Sequence, residues 1–262
     1  MDKQALLKSC DRPDERLLLA KVLDQADLGL RKHIVCFSDF LAPTMEARAY
    51  DMLKYVRDLK FISYGGYSDA ERKIMAFFPD YYNGEEIVFP IEAIKIFYNE
   101  KFSSKLTHRD FLGSILGMGI ERSKVGDIAV FAGYAYCFAE SSIASYVASN
   151  LEKVGNTKVR TEIIAVELAE IPEKQMNIKK FTVSSLRADT VFGVVFGKSR
   201  NETQELIRAE RASVNWVTIK GSADIIKEGD ILSLKGSGRG KLIEVGGNTK
   251  KGRLIITAGR YI

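Results

Sequence analysis

A change in hydrophobic periodicity near Ile74 limits the folds open to this chain more than any other feature of its sequence. Before that point, apolar residues such as Met45, Ala49, Met52 and Leu53 recur at helical spacing and form one apolar stripe. Beyond it, the pattern gives way to short β-rich runs. We therefore expect a helical N-terminal segment over residues 1–72, followed by mixed structure of the α+β class.

Two helix signals interrupt the β-rich runs. The first begins at Thr107, with Asp110 in capping-box spacing, and the second opens at Ser141. With the runs EIVFPIEAIKIFYN, DIAVFA, AYCFAE and VRTEIIAVEL, the order is strand–helix–strand–strand–helix–strand. That order predicts a ferredoxin-like, RRM-like βαββαβ middle domain over residues 73–170. DIAVF and AYCFAE, separated by a short connection, should pair as antiparallel neighbours.

The predicted sheet is rich in aromatic residues. Sheets of this kind can bind RNA by stacking bases on exposed rings. The same rings can also fill the core between a sheet and its helices, and the sequence leaves both interpretations open. The candidates are Phe89, Phe97, Tyr98, Tyr134, Tyr136 and Phe138.

The C-terminal third begins after a proline-containing run of mixed charge. This run, IPEKQMNIKK, is predicted to be a linker over residues 171–180. Residues 181–262 then show two helix signals followed by β-rich runs. Ser184 or Ser185 is placed to cap the first helix, and Ser199 with Glu202 has capping-box spacing for the second.

Positive charge is concentrated in this last third. Residues 177–262 contain 16 basic and 8 acidic residues, a net charge of +8, whereas the remainder holds 23 basic and 26 acidic residues, a net charge of −3. Such asymmetry favours a polyanionic partner bound by the C-terminal part of the chain.

Several classes of protein fit the sequence poorly. The three cysteines are far apart and odd in number, which is typical of reduced thiols in a cytoplasmic protein. With two histidines and no metal-ligand spacing, we expect neither a metal nor another cofactor. No window approaches the ~20 apolar residues that span a bilayer, and the charged N-terminus lacks a signal-peptide core. We expect no membrane association.

A set of short motifs in the C-terminal third points to RNA. In chain order they are Arg187 with Asp189, Ser199-Arg200, Val214-Asn215 and Gly229-Asp230. In this order the segment resembles the RNA-binding domain first seen in ribosomal protein S-four. The resemblance implies two short helices packed with a small sheet, the alpha-L motif, that binds structured RNA.

The chemistry of these residues agrees with phosphate binding. A helix N-terminus presents free N–H groups and a partial positive charge, and an arginine can hold a phosphate bidentately. The alternative is that Arg187, Asp189 and Arg200 merely pair with neighbouring side chains. The expected RNA contacts are Arg187, Asp189, Lys198, Ser199, Arg200, Asn215, Lys220, Lys235, Arg239 and Lys241.

Two further stretches extend a resemblance over essentially the whole chain. GGYSDAERKIMAFFPDYY and HRDFLGSILGMGIERSKVGDI are similar to segments of the bacterial YlmH-type RNA-binding proteins. In that family a helical segment and an RRM-like domain precede the S-four domain. The family is linked to RNA binding on the ribosome, to stalled large subunits carrying nascent chains, and to cell-division gene neighbourhoods. The resemblance implies rRNA or tRNA on the large subunit as partner. Arg122 and Lys124, in the second of these stretches, are candidates for secondary RNA contacts. We expect a monomer that binds no DNA.

Three classes of function remain to be compared. A non-catalytic RNA-binding protein fits best. An RNA-modifying enzyme is the alternative, because S-four domains often accompany pseudouridine synthases and methyltransferases; yet residues 1–176 show neither an Arg-Leu-Asp-type motif nor a glycine-rich cofactor turn. The third class is an interaction protein of the division machinery. The sequence therefore favours a protein that is not an enzyme.

Overall fold

The computed structural model of the chain describes residues 3–7, 10, 12–99, 106–173, 175–249 and 252–262. The chain forms two compact units, Met1–Pro172 and Glu173–Ile262. The N-terminal segment and the middle domain anticipated from the sequence thus belong to one unit.

The first unit begins with the helices α1 (Lys3–Leu7), α2 (Pro13–Lys32) and α3 (Pro43–Leu53). Helices α2 and α3 each start at a proline. Proline lacks an N–H, but N–H groups in the first turn of a helix have no partner within the helix, so no hydrogen bond is lost. Met45, Ala49 and Leu53 are buried on one side of α3. The apolar stripe of this helix is therefore confirmed.

Strands also contribute to the N-terminal segment, which corrects the expectation of a purely helical one. β1 (Cys36–Phe37), β2 (Leu59–Tyr64) and β3 (Ile74–Pro79) form an antiparallel sheet of order β1-β3-β2. β3 falls inside the range assigned to the middle domain, yet it pairs with β1 and β2. The short strands β1 and β2 are stabilised by distant partners, so local periodicity does not reveal them.

A second sheet follows in the same unit. Its strands are β4 (Ile91–Tyr98), β5 (Val125–Phe131), β6 (Tyr134–Glu140), β7 (Lys153–Val154) and β8 (Thr157–Ile164), in the order β5-β6-β4-β8-β7. The helices α4 (His108–Leu116) and α5 (Ser141–Asn150) follow β4 and β6. β5 and β6 pair antiparallel through residues 132–133, which confirms the predicted hairpin.

Both helices pack on one face of this sheet. Phe111 and Ile115 of α4 and Val147 of α5 share a buried cluster with Ile94 and Ile96 of β4. This places every second residue of β4 toward the helices and its alternate residues on the opposite face.

The predicted cap of α4 is present at Thr107. Its N–H and its hydroxyl both donate to Asp110 Oδ2 at 2.7 Å. These contacts hold the pKa of Asp110 below its usual range, chiefly through the hydroxyl of Thr107.

The N-terminal segment covers part of the opposite face. Phe40 and Ile74 pack there against Ala93, Tyr136 and Phe138. This contact explains why the two parts of the first unit do not separate.

A half-buried arginine reinforces that contact. The guanidinium of Arg72 donates to the carbonyl oxygens of Phe40 at 2.8 Å and Val125 at 3.0 Å. Burial, together with the nearby charge of Arg122, lowers the pKa of Arg72 to about 10. Asp127 accepts from the hydroxyl of Tyr67 at 2.9 Å. These bonds tie the loop before β3 to β5.

The second unit contains a longer antiparallel sheet and two helices. The elements are β9 (Met176–Val183), α6 (Ala188–Phe196), α7 (Arg200–Arg208), β10 (Ala212–Val214), β11 (Val217–Thr218), β12 (Ile231–Leu234), β13 (Gly238–Asn248) and β14 (Leu254–Tyr261). The strand order is β11-β10-β12-β13-β14-β9. Among the described residues of the whole chain, no helix combines the length and apolar character needed to cross a membrane.

Residues 176–180, expected to be linker, are the first part of β9. This strand pairs with β14 from Met176 opposite Tyr261 to Val183 opposite Leu254. It lies at the edge of the sheet and exposes its lysines, as edge strands commonly do. Such a strand lacks the apolar alternation by which a strand is recognised in a sequence.

The start of α6 also differs from expectation. Neither Ser184 nor Ser185 caps it; the residue before the helix is Arg187, without a side-chain cap. Instead, the N–H groups of Ala188 and Asp189 donate to the carbonyl oxygens of Asp224, at 2.8 Å, and Ser222, at 3.0 Å. This cap is supplied by a loop that is distant in the sequence, so no local motif predicts it.

Candidate nucleic-acid interface

A buried carboxylate connects the starts of α6 and α7. The side chain of Asp189 has 0% exposure. It accepts hydrogen bonds from Arg187 (Nη2 to Oδ2, 2.9 Å; Nε to Oδ1, 3.2 Å) and Arg200 (Nε to Oδ2, 3.2 Å). Gln204 and Thr190 donate to it at 2.8 and 3.1 Å. Asp189 is therefore the centre of a network that spans both helices.

The electrostatics of this network keep Asp189 charged. Burial acts to raise the pKa of its carboxyl group, but the hydrogen bonds from Arg187, Gln204, Arg200 and Thr190 outweigh it and hold the pKa well below the usual range. At neutral pH one buried negative charge thus faces two guanidinium groups.

The two arginines are held differently. Arg187 binds Asp189 through Nε and Nη2 and is 34% exposed, whereas Arg200 uses Nε and is 60% exposed. Within the described part of the chain, the two terminal nitrogens of Arg200 have no hydrogen-bond partner. Its planar fork is therefore oriented by Asp189 and still able to hold a phosphate. Asp189 itself, expected as an RNA contact, is inaccessible and instead orients the side chains of Arg187 and Arg200.

The N-terminus of α7 adds further donors beside Arg200. Ser199 is the N-cap, as predicted, and its Oγ accepts from the N–H of Glu202 at 3.2 Å. Lys198 Nζ lies 2.7 Å from Glu202 Oε1. Since α7 has nine residues, its N-terminus carries the partial positive charge of a helix end.

Asn215, another expected contact, occupies a tight turn between β10 and β11. Asn215 and Trp216 have φ values of +47° and +64°, and Val214 pairs with Val217. This is the arrangement of a two-residue type I′ hairpin turn. The Nδ2 of Asn215 donates to Asp230 Oδ1 at 2.8 Å, and the Oδ1 of Asn215 accepts from the N–H of Ile231 at 2.9 Å. The side chain therefore joins the turn to β12.

Replacing Asn215 with alanine should destabilise the second unit by about 2 kcal/mol, because alanine is disfavoured at positive φ and two hydrogen bonds are lost. Urea denaturation measures this change, with Asn156→Ala in an exposed turn as the control. An unchanged unfolding midpoint with weaker RNA binding would instead assign Asn215 to the RNA contact.

The remaining expected contacts of the second unit lie elsewhere on its surface. Lys220 Nζ is 2.9 Å from Glu210 Oε1, and both residues are exposed. Lys235 lies in the turn between β12 and β13. Arg239 and Lys241 follow on β13, opposite Ser233 and Ile231. These last three residues share one hairpin.

The two secondary contacts expected in the first unit have intramolecular partners. Arg122 donates to the carbonyl oxygens of Val125 and Gly126, and its burial lowers its pKa. Lys124 Nζ lies 2.7 Å from Asp39 Oδ1 and 2.6 Å from Glu140 Oε2. Both cations thus stabilise the unit that contains them.

Gln204 is a member of the Asp189 network that sequence reasoning missed. It follows Arg200 by four residues in α7, so both side chains lie on the same face of the helix. This spacing of four residues is the feature of the sequence that could have indicated that Gln204 and Arg200 act together.

The chain matches two families over most of its first unit. Residues 14–82 match the family described as "YlmH, N-terminal", and residues 85–168 match the one described as "Putative RNA-binding domain in YlmH". A protein of Bacillus subtilis (strain 168), "Ribosome-associated protein quality control protein P2", is 33% identical over 249 residues, 95% of this chain and 96% of that protein. The chain belongs to the YlmH family.

A solved structure shares the fold of part of this YlmH-family chain. The "Cell division protein ylmH from Streptococcus pneumoniae" has a TM-score of 0.52 and is 23% identical, covering 61% of this chain and 96% of that one. The two matched families end at residue 168. The Asp189 network therefore lies outside the segments that they cover.

Proposed function

We propose that this YlmH-family protein binds structured RNA without catalysing a reaction, and that α6 and α7 form its principal contact within an S-four-type module over residues 181–262. The observation that carries the proposal is the buried Asp189, which fixes Arg187 and Arg200 at the surface.

The energetics of the network support this assignment. Burying a carboxylate is unfavourable unless several hydrogen bonds satisfy it, and apolar residues often stabilise a core equally well. A network that buries one negative charge and thereby orients partly exposed arginines is better suited to binding an anion than to stabilising the core. Arg200 presents its fork beside the N-terminus of α7, where Lys198 and Ser199 supply further donors.

The partner we propose is rRNA or tRNA on the ribosomal large subunit, in the rescue of stalled ribosomes in the cytoplasm. The Bacillus subtilis relative is named as a ribosome-associated quality control protein, and residues 85–168 match a family described as RNA-binding. The order β5-β6-β4-β8, with both helices on one face, supports an RRM-like middle domain.

Two other functions make different predictions. The similar Streptococcus pneumoniae protein is named as a cell division protein, which favours an interaction protein of the division machinery as second candidate. An RNA-modifying enzyme would leave altered nucleotides in RNA incubated with the protein.

Co-sedimentation with purified large ribosomal subunits over a range of salt concentrations tests the proposal. With roughly two to four phosphate contacts, raising the salt from 50 to 200 mM should weaken binding by about 10- to 100-fold, because each contact releases counterions. Arg57→Ala, an exposed arginine of the first unit, is the control and should leave binding unchanged. Salt-independent binding would favour protein–protein contacts, and modified nucleotides would favour the enzyme.

A further inference from the structure

A groove of about 530 Å³ lies beside the last turn of α6, and none of the residues of the Asp189 network lines it. Its walls are Val194, Val195 and Gly197 at the end of α6 and the first half of β9, and the last residues of β14 close it. Small-ligand sites enclose about 300–1,000 Å³. Every residue that lines this groove belongs to the second unit. We call it the α6–β9 groove.

The strand period explains why polar side chains reach the α6–β9 groove. Val183 of β9 is buried in the core of the second unit, and Phe181 packs against the same cluster. Alternate residues of a strand share one face of the sheet, so Lys179 and Asn177 lie on the same face as α6. Both are exposed. Helix α6 therefore covers one half of β9 and leaves the other half open.

The floor of the α6–β9 groove is apolar. Phe181, Val194 and Val195 line it and belong to the core cluster of the second unit or pack against it. Phe181 and Val194 are half-buried, so part of their surface remains in contact with water. A ligand that covers this surface gains from the hydrophobic effect, which favours one with a flat apolar part.

Two cations and an amide surround this floor. Asn177 lies opposite Arg260 in the register, and Lys179 lies two residues further along β9. Arg260 Nη2 donates to the carbonyl oxygen of Ser237 at 2.7 Å, and its Cζ lies 5.6 Å from the ring centroid of Phe196. The guanidinium is thus held in place. Its Nε and Nη1 have no hydrogen-bond partner among the residues that the structure describes.

The charge of the α6–β9 groove favours an anion. None of the side chains that line it is acidic. Within the described part of the chain, the side chains of Lys179 and Asn177 have no hydrogen bond or ion pair. An amide both donates and accepts hydrogen bonds, so it can pair with the edge of a base, as asparagine does with adenine. An apolar floor, two cations and one amide together match a nucleotide.

The α6–β9 groove is continuous with the proposed RNA contact. Gly197, which lines it, is followed directly by Lys198, Ser199 and Arg200. Asp189 lies near the other end of α6, about 12 Å away at the helical rise of ~1.5 Å per residue. A few nucleotides of one RNA strand can bridge such a distance.

We propose that the α6–β9 groove holds one unpaired nucleotide of the RNA that the Asp189 network binds, with its base on the apolar floor and its phosphate beside Lys179 and Arg260. The inference rests on the proposed function and adds a requirement, namely an unpaired nucleotide next to the structured part of the RNA. A free nucleotide has the same chemistry. Continuity of the groove with Arg200 favours a nucleotide that belongs to the bound RNA.

Fluorescence anisotropy with the full chain tests this inference. The first probe is a labelled RNA hairpin with three unpaired adenosines at each end. The second carries abasic residues in their place, which keeps the phosphates and removes the bases. We expect the adenosine tails to bind on the order of 10-fold more tightly, because a base gains by stacking on an aromatic ring. Equal affinity for the two hairpins would overturn the proposal.

Two substitutions assign roles within the α6–β9 groove. Asn177→Ala should reduce the preference for adenosine tails several-fold, since the base edge loses its partner. Lys179→Ala should weaken binding of both hairpins and lower the salt slope by about one. The matched control is Lys180→Ala, because Lys180 is exposed on the same strand but faces the other side of the sheet. If Lys180→Ala had the effect expected of Lys179→Ala, the RNA would lie on that other face and the proposal would fail.

Failure of this inference is distinguishable from failure of the proposed function. If Arg200→Ala weakens binding of both hairpins but the wild-type chain does not prefer adenosine tails, the α6–β9 groove is not a nucleotide site and the proposed function stands. A preference for adenosine tails in a chain whose affinity does not respond to Arg200→Ala would instead contradict the Asp189 network as the RNA contact.

Adenosine monophosphate separates the two sources of a nucleotide. Suppose that the wild-type chain binds it, that Asn177→Ala abolishes this binding, and that the two hairpins bind equally. The α6–β9 groove would then belong to a free nucleotide, and its assignment to RNA would be wrong.

A measurement on the wild-type chain avoids any effect of substitution on folding. Hairpin tails that carry 4-thiouridine should crosslink, on irradiation, to peptides containing residues 177–181 or 194–197. Crosslinks confined to other peptides would exclude the α6–β9 groove.

Discussion

Replacing Asp189 with alanine should lower the free energy of unfolding of the second unit by about 2–3 kcal/mol. The carboxylate is fully buried and accepts from Arg187, Arg200, Gln204 and Thr190. Without it, two like charges lie close together and buried donors lose their acceptor. Removing one partner of a buried ion pair costs roughly 3–5 kcal/mol, and partial exposure of the arginines reduces that figure.

Urea denaturation followed by tryptophan fluorescence measures this effect directly. The chain has one tryptophan, Trp216, which lies in the second unit, so its signal reports that unit. Glu205→Ala, an exposed carboxylate on α7, is the matched control and should change stability by less than about 0.5 kcal/mol. Asp189→Asn should give an intermediate loss, because its amide oxygen still accepts hydrogen bonds but carries no charge. A midpoint equal to that of the wild type would contradict the role assigned to Asp189.

The same variant should alter the pH dependence of stability. The pKa of Asp189 is held below its usual range in the folded state. Its contribution is therefore present above the unfolded value of about 4 and is lost as the pH falls through the folded value. The difference in stability between wild type and Asp189→Ala should shrink between pH 7 and pH 3. A constant difference would show that the carboxylate acts through packing alone.

Replacing Arg200 with alanine should weaken binding to structured RNA by about 1–3 kcal/mol, roughly 5- to 150-fold. The guanidinium combines a charge-assisted hydrogen bond to phosphate with the partial charge of the α7 N-terminus. Arg200→Lys should recover only part of the loss, because an ammonium group cannot reproduce the planar fork. The slope of log affinity against log salt should also fall by about one.

The alternative is that Arg200 serves only as a partner of Asp189. In that case Arg200→Ala would lower the unfolding midpoint while affinity and salt slope stayed unchanged. Measuring unfolding and binding on one purified variant separates the two accounts. Arg57→Ala again controls for the loss of one positive charge from the chain.

Local patterns predicted those parts of the structure whose partners lie a few residues apart. The caps at Thr107 and Ser199 close within one helical turn, and the pairing of β5 with β6 spans a two-residue connection. In each case the interaction joins residues that are close in the sequence, so the sequence pattern is enough to predict it. The same holds for the order of elements in the middle of the chain.

Local sequence patterns did not predict the contacts between segments that are far apart in the chain. β9 is stabilised by β14, about eighty residues later in the chain, and α6 is capped by carbonyl oxygens of Ser222 and Asp224. The run that forms β3 is β-rich in the sequence, but its pairing with β1 and β2 depends on segments that precede it in the chain. Edge strands and backbone caps leave no periodic signal, because their stabilisation comes from groups that any residue carries.

The candidate sites divide in the same way. By itself the sequence determined that the C-terminal part is basic, that Ser199 begins a helix beside Arg200, and that the chain resembles the YlmH family. Only the tertiary structure decided that Asp189 is buried between two arginines, that Arg122 and Lys124 are engaged internally, and that Asn177 and Lys179 line a groove beside α6. A side chain's charge and shape are properties of its residue, whereas its partner and exposure depend on segments that folding brings together.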